Sequence, residues 1–235
     1  MAINWEGIHN TQINESISRL EKANTYKDLS TIIICPTRGN ISATVISSWM
    51  SLIKPMNQKV VGPLFFQGKE VGEAYENAIS MILSNGELSK WKYLLTIEED
   101  NAPPPDALIR LYENMDKFDV IGGLYWTKGV EGQPMIYGDV KEPTNFRPQV
   151  PLSETVQQCY GLGMGCTLFK IDIFKDSRVT RPFFKTCNDV IPGVGVQCFT
   201  QDLYFFNKLV AFGYKIGCDT RVKVGHYDAY EDIIW

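Results

Sequence analysis

Three times in its first half the chain runs a short apolar stretch into a polar turn and then into a segment of helical periodicity. Thr31-Ile32-Ile33-Ile34-Cys35 is closed by Pro36-Thr37-Arg38-Gly39-Asn40, and a helix follows from Ile41 to Leu52 with Ser42 near its start. Val60-Val61 and Leu64-Phe65-Phe66, broken or bulged at Gly62-Pro63, lead to a helix over Glu70 to Leu83. Tyr93-Leu94-Leu95-Thr96-Ile97 leads through Pro103-Pro104-Pro105 to a helix over Asp106 to Met115, because proline suits both an extended exit from a strand and the first positions of a helix. Apolar runs this short are of strand length and not of helix length. Strand-then-helix alternation demands parallel strands joined by right-handed crossovers, so the pattern predicts an α/β fold with a central, mostly parallel sheet flanked by helices.

The third of these strands ends abruptly in Glu98-Glu99-Asp100, followed by Asn101. Adjacent carboxylates repel one another, and a cluster of them at a strand terminus is relieved most easily by a cation. The carboxyl end of a central strand is also where open α/β sheets place their ligands. A solvated turn carrying a helix-start acid is the plainer alternative, and the residues alone leave both open.

The second half changes character. Asp119 to Trp126, Pro134 to Tyr137 and Gly163 to Lys170 read as strands separated by long turn-rich segments, and Pro143 to Leu152 reads as a loop, which together predict a smaller mixed or antiparallel extension. Gly161-Leu162-Gly163-Met164-Gly165-Cys166 is no dinucleotide fingerprint, since it precedes a strand and lacks the third glycine in register; its alternating glycines predict close approach of another backbone or a ligand. Thr200 to Leu209 predicts an amphipathic helix stopped by Gly213, with Asp202 in its first turn. A strand pair around Lys215 to Cys218 and Val222 to Val224 then runs into Gly225-His226-Tyr227-Asp228. Ahead of all this, Ile13, Ile17 and Leu20 predict an amphipathic accessory helix within Thr11 to Tyr26.

With 235 residues, 44% of them hydrophobic and 21% charged, the chain is sized for one substantial core. A net charge of −4 and the lack of a basic stripe exclude a nucleic-acid binder that works by neutralising phosphates, so any phosphate is expected to be held through a metal. Six scattered cysteines without a C-x-x-C pair read as free buried thiols. No apolar stretch approaches the roughly 18 residues of a membrane span and no signal peptide opens the sequence, which predicts a cytoplasmic protein.

Five residues have chemistry to offer beyond the acidic triplet. His226 ends an alternating strand, and imidazole with carboxylate makes a workable set for Mn²⁺ or Mg²⁺ when a diphosphate supplies the remaining oxygens. Asp202 suits either a helix macrodipole or a general base. Tyr125, Trp126 and Tyr160 are aromatic candidates for a ligand-stacking wall or for the core.

In order and approximate spacing, Pro36-Thr37-Arg38, Glu98-Glu99-Asp100, Gln201-Asp202 and Val224-Gly225-His226 resemble a family 2-type glycosyltransferase with the GT-A fold, over roughly residues 30 to 228. The resemblance implies one GT-A-like domain over 30–235, with a nucleotide-binding half at about 30–118 and an acceptor and metal-completing half at about 119–235, behind the accessory segment 1–29. It also implies a UDP- or GDP-linked sugar donor, a carbohydrate or other hydroxyl acceptor, and single displacement with inversion. Asp100 and His226 would then bind the metal, with Glu98 near the ribose or a metal-bound water, although Glu98 stands where the family usually has Asp. Asp202 would be the general base, preceded by Gln201 where Glu is commoner. Thr37, Arg38 and Glu99, with Glu70 to Asn77 on the following helix, would line the nucleotide pocket. Two rivals are a sugar-phosphate nucleotidyltransferase, disfavoured because only Arg38-Gly39 stands where a glycine-rich basic loop is needed, and a non-catalytic nucleotide- or carbohydrate-binding module on the same scaffold.

Overall fold

The computed structural model describes residues 28–139, 141, 146–191 and 195–235, together with Glu15 and Ile17; 188–191 and 195–199 are described by their backbone alone. The accessory helix expected within Thr11 to Tyr26 lies outside these residues except for Glu15 and Ile17, both helical.

The three expected units form in sequence: β1 (Thr31–Thr37) and α1 (Ala43–Met50), β2 (Val60–Gln67) and α2 (Val71–Ser84), β3 (Tyr93–Ile97) and, after a two-residue β4 (Asn101–Ala102), α3 (Ala107–Tyr112). The second half supplies β5 (Val120–Leu124), β6 (Ile136–Tyr137), β7 (Val156–Cys159), β8 (Gly161–Leu162), β9 (Cys166–Lys170), β10 (Cys187–Ile191), β11 (Gly195–Phe199), α4 (Gln201–Ala211), β12 (Ile216–Lys223), β13 (Gly225–Asp228) and β14 (Ile233–Ile234). Seven strands make the central sheet in the order β2-β1-β3-β9-β5-β12-β7. β1 lies between β2 and β3, parallel to both, and β12 is parallel to β5. β9 runs antiparallel between β3 and β5, and β7 runs antiparallel at the far edge. The fold is therefore a mixed α/β fold around a mostly parallel sheet.

Alternation along β1 divides the interior. Ile32 and Ile34 pack with α2 and α4 on one face, while Ile33 and Cys35 pack with α1 and α3 on the other. The first face is built on stacked aromatics. Phe205 lies 4.6 Å from Phe184 and 5.3 Å from Phe174, centroid to centroid, and has no exposed surface. Cys35, Cys159, Cys166 and Cys218 are buried free thiols as expected, whereas Cys187 is partly exposed.

Local differences from the sequence reading have physical causes. β2 passes through Gly62-Pro63 as a bulge, since Ile32 pairs with Val61 while Ile34 pairs with Leu64. Gly62 is required there: its φ is +110°, and a Cβ would lie 2.3 Å from the Ile33 carbonyl oxygen. The strand pair expected around Lys215 to Val224 is the single strand β12. Its polar middle, which reads as a turn, is instead buried and satisfied: Asp219 accepts from Arg221 Nε at 2.8 Å, and Thr220 N–H donates to Thr155 O at 2.9 Å. The strand expected from Gly163 begins only at Cys166, because its glycines make room for side chains. A Cβ on Gly163 would lie 1.9 Å from the Tyr125 hydroxyl, and one on Gly165 would lie 2.4 Å from Asn101 Oδ1.

Removing the ring at the centre of the aromatic face leaves a cavity that its rigid neighbours cannot fill. Phe205→Ala is expected to lower unfolding free energy by about 3–5 kcal/mol, measured by urea denaturation.

Candidate functional site

The site is assembled where β3 ends. Asn101 N–H donates to Glu98 O at 3.0 Å, turning the chain sharply, and the short β4 then pairs antiparallel with β13, placing His226 opposite Asn101. Tyr227 N–H donates to Asp100 O at 2.7 Å. From the helix layer, Trp49 Nε1 donates to Asn101 O at 2.8 Å and Ser48 Oγ to Pro103 O at 2.6 Å, so α1 holds the turn from the other side. Backbone and side-chain bonds from distant parts of the chain thereby fix a turn whose own residues repel.

The three carboxylates diverge. Glu98 points inward and accepts from the Tyr75 hydroxyl at 3.0 Å. Glu99 turns to the end of β1, accepting from Thr37 Oγ1 at 2.7 Å and Arg38 N–H at 2.8 Å and pairing with the Arg38 guanidinium. Asp100 turns to the second half of the chain, where its Oδ2 lies 2.7 Å from Lys128 Nζ and 3.4 Å from His226 Nε2.

Electrostatics separates them further. Burial, followed by the charges of Asp202 and Asp100, pushes the Glu98 carboxyl up to about 8, against a bond from Tyr75 that favours ionisation. Burial acts the same way on Asp100, but the neighbouring His226 ring and Lys128 ammonium outweigh it and hold that carboxyl at about 2. Asp202, in the first turn of α4 and 5% exposed, is raised by burial although the Thr200 hydroxyl and Leu203 N–H both bond to its Oδ1. Glu98 thus feels the charge of Asp202, more than a hundred positions away in sequence.

His226 Nδ1 lies 2.7 Å from Trp126 O. A carbonyl oxygen only accepts, so Nδ1 carries a proton. The 3.4 Å separation of Nε2 from Asp100 Oδ2 exceeds the usual N–H···O range of about 2.7–3.2 Å, so Nε2 is not committed to Asp100 by a good hydrogen bond. Among the described residues no group of three or more His, Cys, Asp and Glu side chains is gathered to hold a metal ion.

Other residues singled out from the sequence have varied places. Thr37 and Arg38 join Glu99 in one cluster. Glu70 caps α2, accepting from Glu73 N–H at 3.1 Å and from Thr186 Oγ1 at 3.1 Å. Asn77 is exposed about two turns along α2. Tyr125 belongs to the core: it is 2% exposed, and its hydroxyl oxygen accepts from Gly165 N–H at 3.1 Å. Trp126 is exposed and Tyr160 half-buried. Sequence reasoning did not single out Tyr75, which lies within the Glu70 to Asn77 stretch but reads as core in the apolar stripe of α2, and it missed Lys128, a lone lysine in an aperiodic turn. It also passed over the side chain of Asn101, which is fully buried with neither amide atom hydrogen-bonded.

No protein-family model matches the chain, and no curated protein sequence does. Solved structures do. A197 from STIV superposes with a TM-score of 0.60 at 18% identity, over 87% of this chain and 92% of that one. GalNAc-T7, in a crystal structure with UDP, GalNAc and Mn²⁺, superposes with a TM-score of 0.56 at 10% identity, over 86% of this chain and 44% of that one. At such identities the likeness concerns the fold, which is GT-A-like. No helix among the described residues is long and apolar enough to cross a membrane.

The displaced carboxyls set a pH dependence of stability. Between the ordinary glutamate value of 4.5 and about 8, folded Glu98 keeps a proton that the unfolded chain has lost, so its contribution is full below that window and is lost as pH rises through it. Asp100 acts oppositely: its contribution is present above the ordinary 3.8 and is lost as pH falls toward about 2. Melting curves recorded in chelator are expected to shift to lower temperature from about pH 5 to pH 8, and Glu98→Gln is expected to flatten that fall. A fall equally steep in the variant assigns it to another group.

Proposed function

We propose that this protein is a metal-dependent glycosyltransferase of the family 2 type, moving a sugar from a UDP- or GDP-linked donor to a hydroxyl of a carbohydrate or other acceptor with inversion. The observation that carries the reading is the acidic turn at one end of a GT-A-like sheet, where the charge of buried Asp202 bears on Glu98 and Asp100 lies beside His226. The fold it shares with GalNAc-T7, whose crystal contains UDP, GalNAc and Mn²⁺, supports the same class of chemistry.

The residues fit a divalent ion as a two-ligand set. Asp100 stays ionised and His226 has its proton fixed on Nδ1, so an anionic oxygen and an imidazole lone pair are both available, and donor diphosphate oxygens would complete the coordination. Bound there, Mn²⁺ or Mg²⁺ would supply Lewis-acid neutralisation of the charge that develops on the departing diphosphate.

The chain's own residues do the remainder. Asp202 is anchored through Oδ1, which leaves Oδ2 to take the proton of the acceptor hydroxyl, and its raised basicity suits that task. Displacement by the hydroxyl from the side opposite the diphosphate inverts the sugar carbon. Thr37 and Arg38, fixed by Glu99, line the nucleotide side, with Glu70 and Asn77 farther along the same flank. Trp126 offers an exposed ring for the sugar. A reducing cytoplasm suits the buried free thiols.

Asp202→Asn separates base from helix-start acid. Asparagine is nearly isosteric and tolerated at helix starts, so stability should change by at most about 1 kcal/mol. Transfer should nevertheless fall by roughly 10²-fold or more with donor binding retained, measured as turnover beside a melting curve. Near-normal transfer by a well-folded variant removes Asp202 from the mechanism. Asp100→Ala and His226→Ala are each expected to weaken Mn²⁺-dependent binding of a nucleoside diphosphate in calorimetry, the histidine change less. Wild-type affinity in both variants overturns the metal assignment.

A further inference from the structure

Lys128 lies at the base of a tight turn between Trp126 and Pro134, which pair across it. Thr127 N–H donates to Gln133 O at 2.8 Å, Gln133 N–H donates to Thr127 Oγ1 at 2.8 Å, and Gly132 N–H donates to Gly129 O at 3.0 Å. Gly129 has a φ of +99°, and a Cβ on Gly132 would lie 2.5 Å from Thr127 O, so both glycines are needed to close the turn. The strand-like root of this turn serves both members of the Asp100–His226 pair. The carbonyl of Trp126 holds His226 Nδ1, and two residues later the Lys128 ammonium reaches Asp100.

The geometry puts the ammonium and the imidazole on one atom. Lys128 Nζ and His226 Nε2 both approach Asp100 Oδ2, at 2.7 and 3.4 Å. An ion shared by Asp100 and His226 would need the oxygen that Lys128 holds. Lysine differs from a fixed ligand here because its charge rides on a flexible four-carbon stem, and this side chain keeps 31% of its surface exposed. Displaced from Asp100, the ammonium remains beside the same centre and would be drawn to the next anion to arrive.

We propose that Lys128 occupies the cation-facing oxygen of Asp100 in the donor-free protein and passes to the donor's diphosphate when a divalent ion takes that oxygen, so that metal and nucleotide bind together and neither binds well alone. The inference rests on the metal-dependent reading above and adds Lys128 as a residue that positions the diphosphate. Two opposed effects follow from one side chain. Lys128 competes with the bare ion, and it assists the ion–nucleotide complex.

The test is calorimetric titration of the full chain and its Lys128→Met and Lys128→Arg variants, first with Mn²⁺ alone and then with UDP, GDP, ADP, CDP and dTDP in the presence of Mn²⁺ or of chelator. Lys128→Met is expected to bind bare Mn²⁺ about fivefold more tightly than wild type, as suits the loss of a partly exposed ion pair. It is expected to bind the preferred nucleoside diphosphate with Mn²⁺ about tenfold more weakly, as suits a lost charge-assisted bond. Lys128→Arg, which keeps the charge, should restore most of the nucleotide affinity. Shifts of the same sign in both titrations, or none in either, overturn the role of Lys128 while leaving the metal-dependent reading standing. Wild-type protein that binds none of the five nucleotides with Mn²⁺, or binds one equally well in chelator, overturns that reading and the inference with it.

Discussion

Mutual repulsion among Glu98, Glu99 and Asp100 is the constraint on which the working end of this molecule depends. Three consecutive carboxylates at the end of a strand cannot share one direction without a large electrostatic cost. The fold resolves this by sending each toward a different partner: Tyr75 on α2, Thr37 and Arg38 at the end of β1, and Lys128 with His226 from the second half of the chain. The turn is thus a hub joining the first-half strands, a flanking helix and the late strands. Its charge is also sorted by depth, because the inward acid is driven toward its neutral form while the outward one is held ionised.

Holding such a turn requires support from outside it. β4 pairs with β13, α1 reaches over through Trp49 and Ser48, and β14 closes on β13. Behind the turn, Gly165 allows the Asn101 side chain to lie directly against the backbone before β9, and Gly163 does the same for Tyr125. Glycine therefore serves the site by letting protein side chains close over one another, where the alternating pattern had suggested room for a ligand or another backbone. The antiparallel β9, set between β3 and β5, brings those glycines to the head of the sheet.

Asp202 reaches the same place by a different route. α4 packs through Phe205, Phe206 and Leu209 into the aromatic face, and this burial carries its first turn toward β3. The helix start favours a charged acid, whereas the surrounding apolar packing disfavours it, and burial prevails. A carboxyl raised by burial near the acidic turn is thus a consequence of how α4 packs.

What the sequence by itself determined is what short-range pattern can encode. The strand-length apolar runs, the helix periodicities and the turn residues between them specify the three βα units, the position of the acidic triplet at the end of β3 and the position of Asp202 in the first turn of a helix. Tertiary structure alone decided which acid faces which partner. It also decided that the polar middle of β12 is buried strand rather than turn, that Tyr75 bonds to Glu98, and that Lys128 and His226 meet on one oxygen of Asp100. Periodicity reports only which side of its own element a residue occupies, whereas these pairings join residues such as His226 and Trp126, a hundred positions apart, through sheet order and register. Those are set by the packing of the whole core, and a lone lysine in an aperiodic turn carries no local signal of where that packing will bring it.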